Sequence, residues 1–387
     1  MKKASVLIML LLSALLLAGF ARAEAAEAAG QAAAGTAAFP EPPAVNRQAE
    51  AMDAGSVTEA LPEAAGEVLG GVSLMDRDMG DKGFSALLGR IKNSAAGILR
   101  SALGAAAKLL AVVILCAAAC SAMSEGGAKD MVAFGGTTAL SVIAIDNVHA
   151  FLGLGMNTLM TLSDYSKALL PAMCTAAASA GAVTSASAKY AATAMFVDLL
   201  ITISVNIILP LISVYLAAAI ANALLARDSL ANVAKLLKWI STMALTLLVL
   251  AFTAYLGMTG LITGKADALA AKLAKAVLGT ALPVVGNIVS DTAETLVAGA
   301  GMLRNAIGVF GLLAIAAVCV APFLNLGLHY LVYKGTAAFS NALAEKRMAA
   351  LISDIGTAFG LLLALVGSAG VMLFFSVISS MKAVTAL

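Results

Sequence analysis

Six stretches of this chain, at about 104–123, 132–155, 191–224, 239–263, 304–331 and 357–380, are apolar and long enough to cross a bilayer. A hydrocarbon layer of roughly 30 Å takes about 20 residues of helix to span. Inside that layer every backbone amide has to bond within its own segment, so such a run folds as a helix. The blocks are continuous and rich in Ala and Leu, without the alternation of a membrane barrel. Composition agrees: 61% of residues are hydrophobic and 12% charged, against roughly 25% charged in an ordinary soluble domain. The chain reads as all-α, a polytopic integral membrane protein of about six to eight spans with re-entrant or broken helices.

The N-terminus has the build of a cleavable signal peptide over residues 1–23. Lys2 and Lys3 precede an apolar core from Val6 to Leu17, and Ala21-Arg22-Ala23 supplies small residues at a cleavage site. Residues 24–82 are rich in Ala, Gly, Pro and acidic groups and poor in aromatics, the composition of a flexible extracytoplasmic linker. Residues 83–103 place Phe84, Leu87, Leu88, Ile91, Ile98 and Leu99 on one face and Arg90, Lys92 and Arg100 mostly elsewhere. That pattern fits an amphipathic helix, either on the membrane surface or packed on the chain's own membrane domain. Residues 104–387 form the multi-span membrane domain.

Arg227, Lys235 and Lys238 cluster in one connection, and Lys334, Lys346 and Arg347 in another. The positive-inside rule assigns both to the cytoplasmic side. Six spans starting outside satisfy this if 168–187, weakened by Pro171 and several hydroxyl residues, is re-entrant. Pro210 should kink the long block at 191–224, and Trp239 and Tyr333 stand at block edges, where aromatics anchor at the interface. Gly260 with Gly264 and Gly356 with Gly360 have the GxxxG spacing that lets helices approach closely in lipid.

The richest stretch is Thr280 to Tyr333, which sets Pro283, Gly286, Asp291, Glu294, Arg304 and Asn305 among or beside greasy segments. Interrupted, polar backbone at membrane depth survives only where protein or a water-filled cavity satisfies it. These six residues are therefore candidates for a conduit lining or a packing joint. Asp291 and Glu294 share a helical face, which fits ion handling near the midplane or plain solvation at the interface. Asp146 and His149 are three apart and read as an interfacial pair or a proton relay. Asp198 is an isolated acid, and Lys108 reads as a snorkelling residue.

Several chemistries lack residues. Gly260-Leu-Ile-Thr-Gly-Lys-Ala266 has too short a glycine spacing for a phosphate loop and ends in Ala where magnesium needs a hydroxyl. No HExxH or nucleophile elbow occurs. Cys116 and Cys120 lie one turn apart without further ligands nearby, so they read as small core residues and not as a zinc site. No catalytic residue, cofactor or metal is expected. The net charge of +2, without a dense basic cluster, argues against nucleic acid as a partner.

The stretch TALPVVGNIVSDTAETLVAGAGMLRNAIGVFGLLAI, followed by APFLNL and LVYKGTAAF, resembles the C-terminal core of the stage III sporulation protein AE family. The likeness extends to ALLPAMCTAAASAGAVTSASAKY and the signal peptide. It rests on Pro283-Val-Val-Gly286, on Asp291-Thr-x-x-Thr295, and on Arg304-Asn305 where the family pattern is Lys-Asn-like. The resemblance implies a non-enzymatic membrane component of a channel between mother cell and forespore, needed after engulfment in a Gram-positive spore former. It further implies a place in the mother-cell membrane around the forespore. The implied partners are the other stage III A-operon proteins, including a separate ATPase and ring-forming proteins, with a forespore protein, Q, across the gap. The residues alone also fit a second class, a secondary transporter for a small solute, since broken helices and intramembrane acids suit one.

Overall fold

Amides that cannot reach water bond along their own helix, and among the described residues no strand occurs. The structure, a computed structural model, describes residues 54–74, 76, 78–123, 127–180, 183–225, 230–262, 285–343 and 346–382. The signal peptide and residues 24–53 lie outside the described residues.

Two short helices, α1 (Ala54–Glu59) and α2 (Glu63–Leu69), precede the long ones. These are α3 (Met79–Ser121), α4 (Gly127–Ser179), α5 (Val183–Ile203), α6 (Leu209–Leu225), α7 (Ala231–Ile262), α8 (Val285–Leu343) and α9 (Lys346–Lys382). Taking α5 with α6 as one rod, six helices among the described residues are long and apolar enough to cross a membrane, in agreement with the six apolar runs.

A π-helical turn, Ser204–Ile208, joins α5 to α6 just before Pro210. The Leu209 amide reaches back five residues to the Ser204 carbonyl. Proline cannot donate to the preceding turn, and the widened loop absorbs the mismatch. The break expected at Pro210 is thus a π turn within a continuous rod.

Other helices run past the boundaries drawn from hydropathy. Residues 168–179, read as part of a re-entrant element, are the end of α4, with Pro171 inside the helix. Residues 285–300, in the stretch expected to have interrupted backbone, are the first turns of α8 and continue unbroken into the span. The amphipathic stretch 83–103 and the apolar one after it form a single helix, α3. Residues 54–74, assigned to a flexible linker, are also ordered: Val57, Ala65, Leu69 and Leu74 are buried against the bundle.

α8 and α9 make the most extensive pairing, an antiparallel hairpin against which α4 packs. Side chains fill two apolar cores stacked along the bundle. One, around Leu140, Phe151, Tyr215 and Phe359, lies toward the α8–α9 turn. The other, around Tyr165, Leu169, Phe310 and Val377, lies toward the opposite end, where α1 and α2 cover it. Cys116 and Cys120 of α3 share a shallow hollow with Leu343 and Met348, so the α3–α4 and α8–α9 turns sit side by side. Alternating spans demand this.

Candidate functional site

Van der Waals contact is the main force available between helices in lipid, and it needs small residues where backbones approach. The face of α9 toward α8 provides them. A Cβ on Gly360 would stand 2.7 Å from the Tyr330 ring, and one on Gly367 would stand 2.9 Å from Phe323. Gly356 presses on Tyr333 in the same way, 3.2 Å from its Cβ. Each missing side chain is the slot for an aromatic from α8.

That close seam brings α8 aromatics into a node with α4. Phe151 of α4 sits 4.5 Å from His329 and 4.7 Å, edge-on, from Phe359. Tyr333 meets Phe359 edge-on at 5.0 Å. Edge-to-face rings of this kind add attraction beyond their burial. The polar tips are answered. The Asn147 amide donates to the Tyr333 hydroxyl at 3.0 Å. His329 Nδ1 lies 2.8 Å from the Asn325 carbonyl, an oxygen that only accepts, so Nδ1 carries the proton.

One turn nearer the α8–α9 loop, the contacts become charged. The Lys334 ammonium donates to the Ser353 carbonyl at 2.6 Å, the Ser353 hydroxyl at 2.9 Å and the Thr357 hydroxyl at 2.7 Å, all on α9. Tyr215 of α6 donates to the Asp354 carboxylate at 3.1 Å. Four rods, α4, α6, α8 and α9, are tied together at this level. Asn147, Tyr215 and Asp354 carried no signal in the sequence: Asn147 stands between Asp146 and His149, which drew the attention, and Tyr215 and Asp354 belong to no motif. Tyr333 and Lys334 were visible only as an interface aromatic and a topogenic charge.

The polar residues singled out at the start of α8 lie away from this node, toward the other end of that helix. Gly286, Asp291 and Glu294 belong to the first turns of α8, the two acids three apart on one face. Pro283 falls outside the described residues. Arg304 is only 2% exposed, and its Nε and Nη1 have no hydrogen-bond partner. Asn305 beside it is half-buried. Gly260 is in the last turn of α7 and Gly264 lies outside the described residues. Gly356 and Gly360 are on the α8–α9 seam. Asp146 and His149 are both exposed on α4, with no bond between them. Among the described residues no three of His, Cys, Asp and Glu gather as metal ligands.

The stage III sporulation protein AE family profile matches residues 73–383, which hold all six spans and both ends of the α8–α9 hairpin. The chain belongs to the stage III sporulation protein AE family. A curated relative, stage III sporulation protein AE of Bacillus subtilis (strain 168), is 24% identical over 184 residues. That match covers 48% of this chain and 46% of the relative, so the aligned part is under half of that protein's length. No solved structure matches the chain. Membership supports a role in sporulation for this helical membrane protein.

Proposed function

We propose that this chain is a non-enzymatic membrane subunit of the channel complex linking mother cell to forespore, acting after engulfment. The observation that carries the reading is the coincidence of the family match with the six-span bundle, which makes the membrane core itself the family's working part. The chain would sit in the mother-cell membrane around the forespore. Other stage III A-operon proteins, a separate ATPase and ring-forming proteins among them, would dock on it, with forespore protein Q reached indirectly across the gap.

Two features support a transport role. Arg304 is a buried cation with unanswered donors near the outer end of the α8 span, and such groups in membrane helices mark paths or partners. Asp291 and Glu294 precede it on the same helix, three apart, and we take them as the contact for a partner's basic surface. Replacing both acids by Ala should block sporulation after engulfment while leaving protein levels normal. Wild-type counts of heat-resistant spores in that double variant would remove the acids from the mechanism. Co-purification of the ATPase and ring proteins with the full chain tests the assembly. Solute uptake by liposomes holding this chain alone would favour a secondary transporter instead.

A further inference from the structure

Sulfur collects where the α3–α4 and α8–α9 turns meet. Cys116 and Cys120 lie one turn apart on α3, both half-buried and free. They line a hollow of about 330 Å³ together with Lys129 and Asp130 of α4, Leu343 of α8 and Met348 of α9. Gly136 of α4 is the notch that admits the sulfurs. The Cys116 Sγ occupies the space where a Cβ on Gly136 would stand, and the Met348 Sδ lies 3.3 Å from that position. The Cys116 thiol has only a long contact, 4.0 Å, to the Val132 carbonyl. Cys120 is close enough for a charge on one thiol to act on the other. Three sulfur atoms, two from α3 and one from α9, thus gather at one hollow.

Two thiols at this spacing cannot close on each other. Cβ atoms four residues apart on a helix stand about 5–6 Å from one another, and a disulfide needs about 3.8 Å. They can close on an ion, as histidines four apart on a helix hold zinc. With metal–sulfur bonds of about 2.3 Å, one ion bridges sulfurs up to about 4.6 Å apart. The donor set then chooses the ion. Zinc takes four ligands, and among the described residues no third His, Cys, Asp or Glu joins the pair. The third donor here is a thioether, and thiolates with a thioether select Cu(I). The basic α8–α9 turn reads as cytoplasmic, and cytosolic thiols stay reduced.

We propose that Cys116, Cys120 and Met348 form a three-sulfur site for a soft monovalent metal ion, Cu(I). Binding releases both thiol protons to solvent. The ion joins α3 to the first turn of α9, so its presence sets how firmly the two turns hold together. The site stands on this geometry alone and is independent of the channel reading.

The test uses the full chain in mild detergent, with Cys174 and Cys319 replaced by Ala so that only the α3 thiols remain. Cu(I) is titrated in without oxygen, against the chromophoric chelator bathocuproine disulfonate. One ion per chain should be withheld from the chelator. Cys116→Ser with Cys120→Ser should surrender it. Met348→Leu conserves volume and should weaken binding at least about tenfold, since even residues one shell beyond a metal act on that scale. Cys120→Ser changes only a half-buried residue at the hollow, so it carries the test if Met348→Leu unsettles the fold; it too should lose the ion. Retention of Cu(I) by the double serine variant, or binding by Met348→Leu as tight as the parent's, would overturn the three-sulfur site. So would one ion per two chains, which marks a bridge between copies.

Discussion

Glycine-to-alanine changes at two points of the α8–α9 hairpin separate packing from helix propensity. Alanine stabilises a helix interior by about 1 kcal/mol over glycine, and both sites receive that gain. At Gly335 nothing lies within 4 Å of the added methyl, so the gain stands alone and Gly335→Ala should be about 1 kcal/mol more stable. At Gly360 the methyl would arrive 2.7 Å and 2.8 Å from two ring carbons of Tyr330. Inserting a methyl into a filled site costs about 1–3 kcal/mol, which cancels or exceeds the propensity gain. Tyr330 cannot simply swing away, because its ring fills the slot beside Gly360. The two variants should therefore differ by about 1–3 kcal/mol, or about 2–6 °C in melting temperature at roughly 2 °C per kcal/mol. The assay is thermal unfolding in mild detergent, read by a thiol-reactive dye on the four free, half-buried cysteines. Tyr330→Leu should relieve Gly360→Ala in a double-mutant cycle. If Gly360→Ala melts as high as Gly335→Ala, or Tyr330→Leu gives no relief, the close-seam argument is wrong.

Phe359→Ala should destabilise the bundle by about 3–5 kcal/mol, the usual cost of emptying a fully buried ring site, as read in the same melt. Tyr215→Phe removes the donor to Asp354 and should cost about 1–2 kcal/mol, toward the low end for a bond to a charged group because Asp354 is only half-buried. The Arg304→Met variant should be as stable as the parent or up to about 3 kcal/mol more so, since its buried donors are unanswered, yet it should lower heat-resistant spore counts. A stability loss in that variant would show that the guanidinium is held by the fold.

The spans were legible because hydrocarbon imposes a single solution on a long apolar run. Helix lengths were not, because hydropathy marks where a helix meets lipid and says nothing of where its hydrogen bonds stop. α3 and α8 both continue through amphipathic or acidic stretches that looked like separate elements. Residues 54–74 escaped notice for a different reason. Their burial depends on Val57, Ala65 and Leu69, which are small and sparsely placed, so no periodic stripe announces them. The node was hidden by distance along the chain: Asn147 and Tyr333 are separated by 186 positions, and Tyr215 and Asp354 by 139.

α8 is 59 residues long, which at 1.5 Å per residue makes a rod of about 88 Å, roughly twice the full thickness of a bilayer. The turns between Val285 and Arg304 then stand about 28 Å beyond the span. With no break from Val285 to Leu343 and only Pro322 within the helix, the projecting end has little freedom to bend independently of the buried one. Whatever takes hold near Asp291 and Glu294 grips a lever whose fulcrum is the glycine seam with α9. A tug or tilt applied outside the membrane would arrive at Tyr333 and Lys334 as displacement, softened only where Pro322 interrupts the helix's hydrogen bonds.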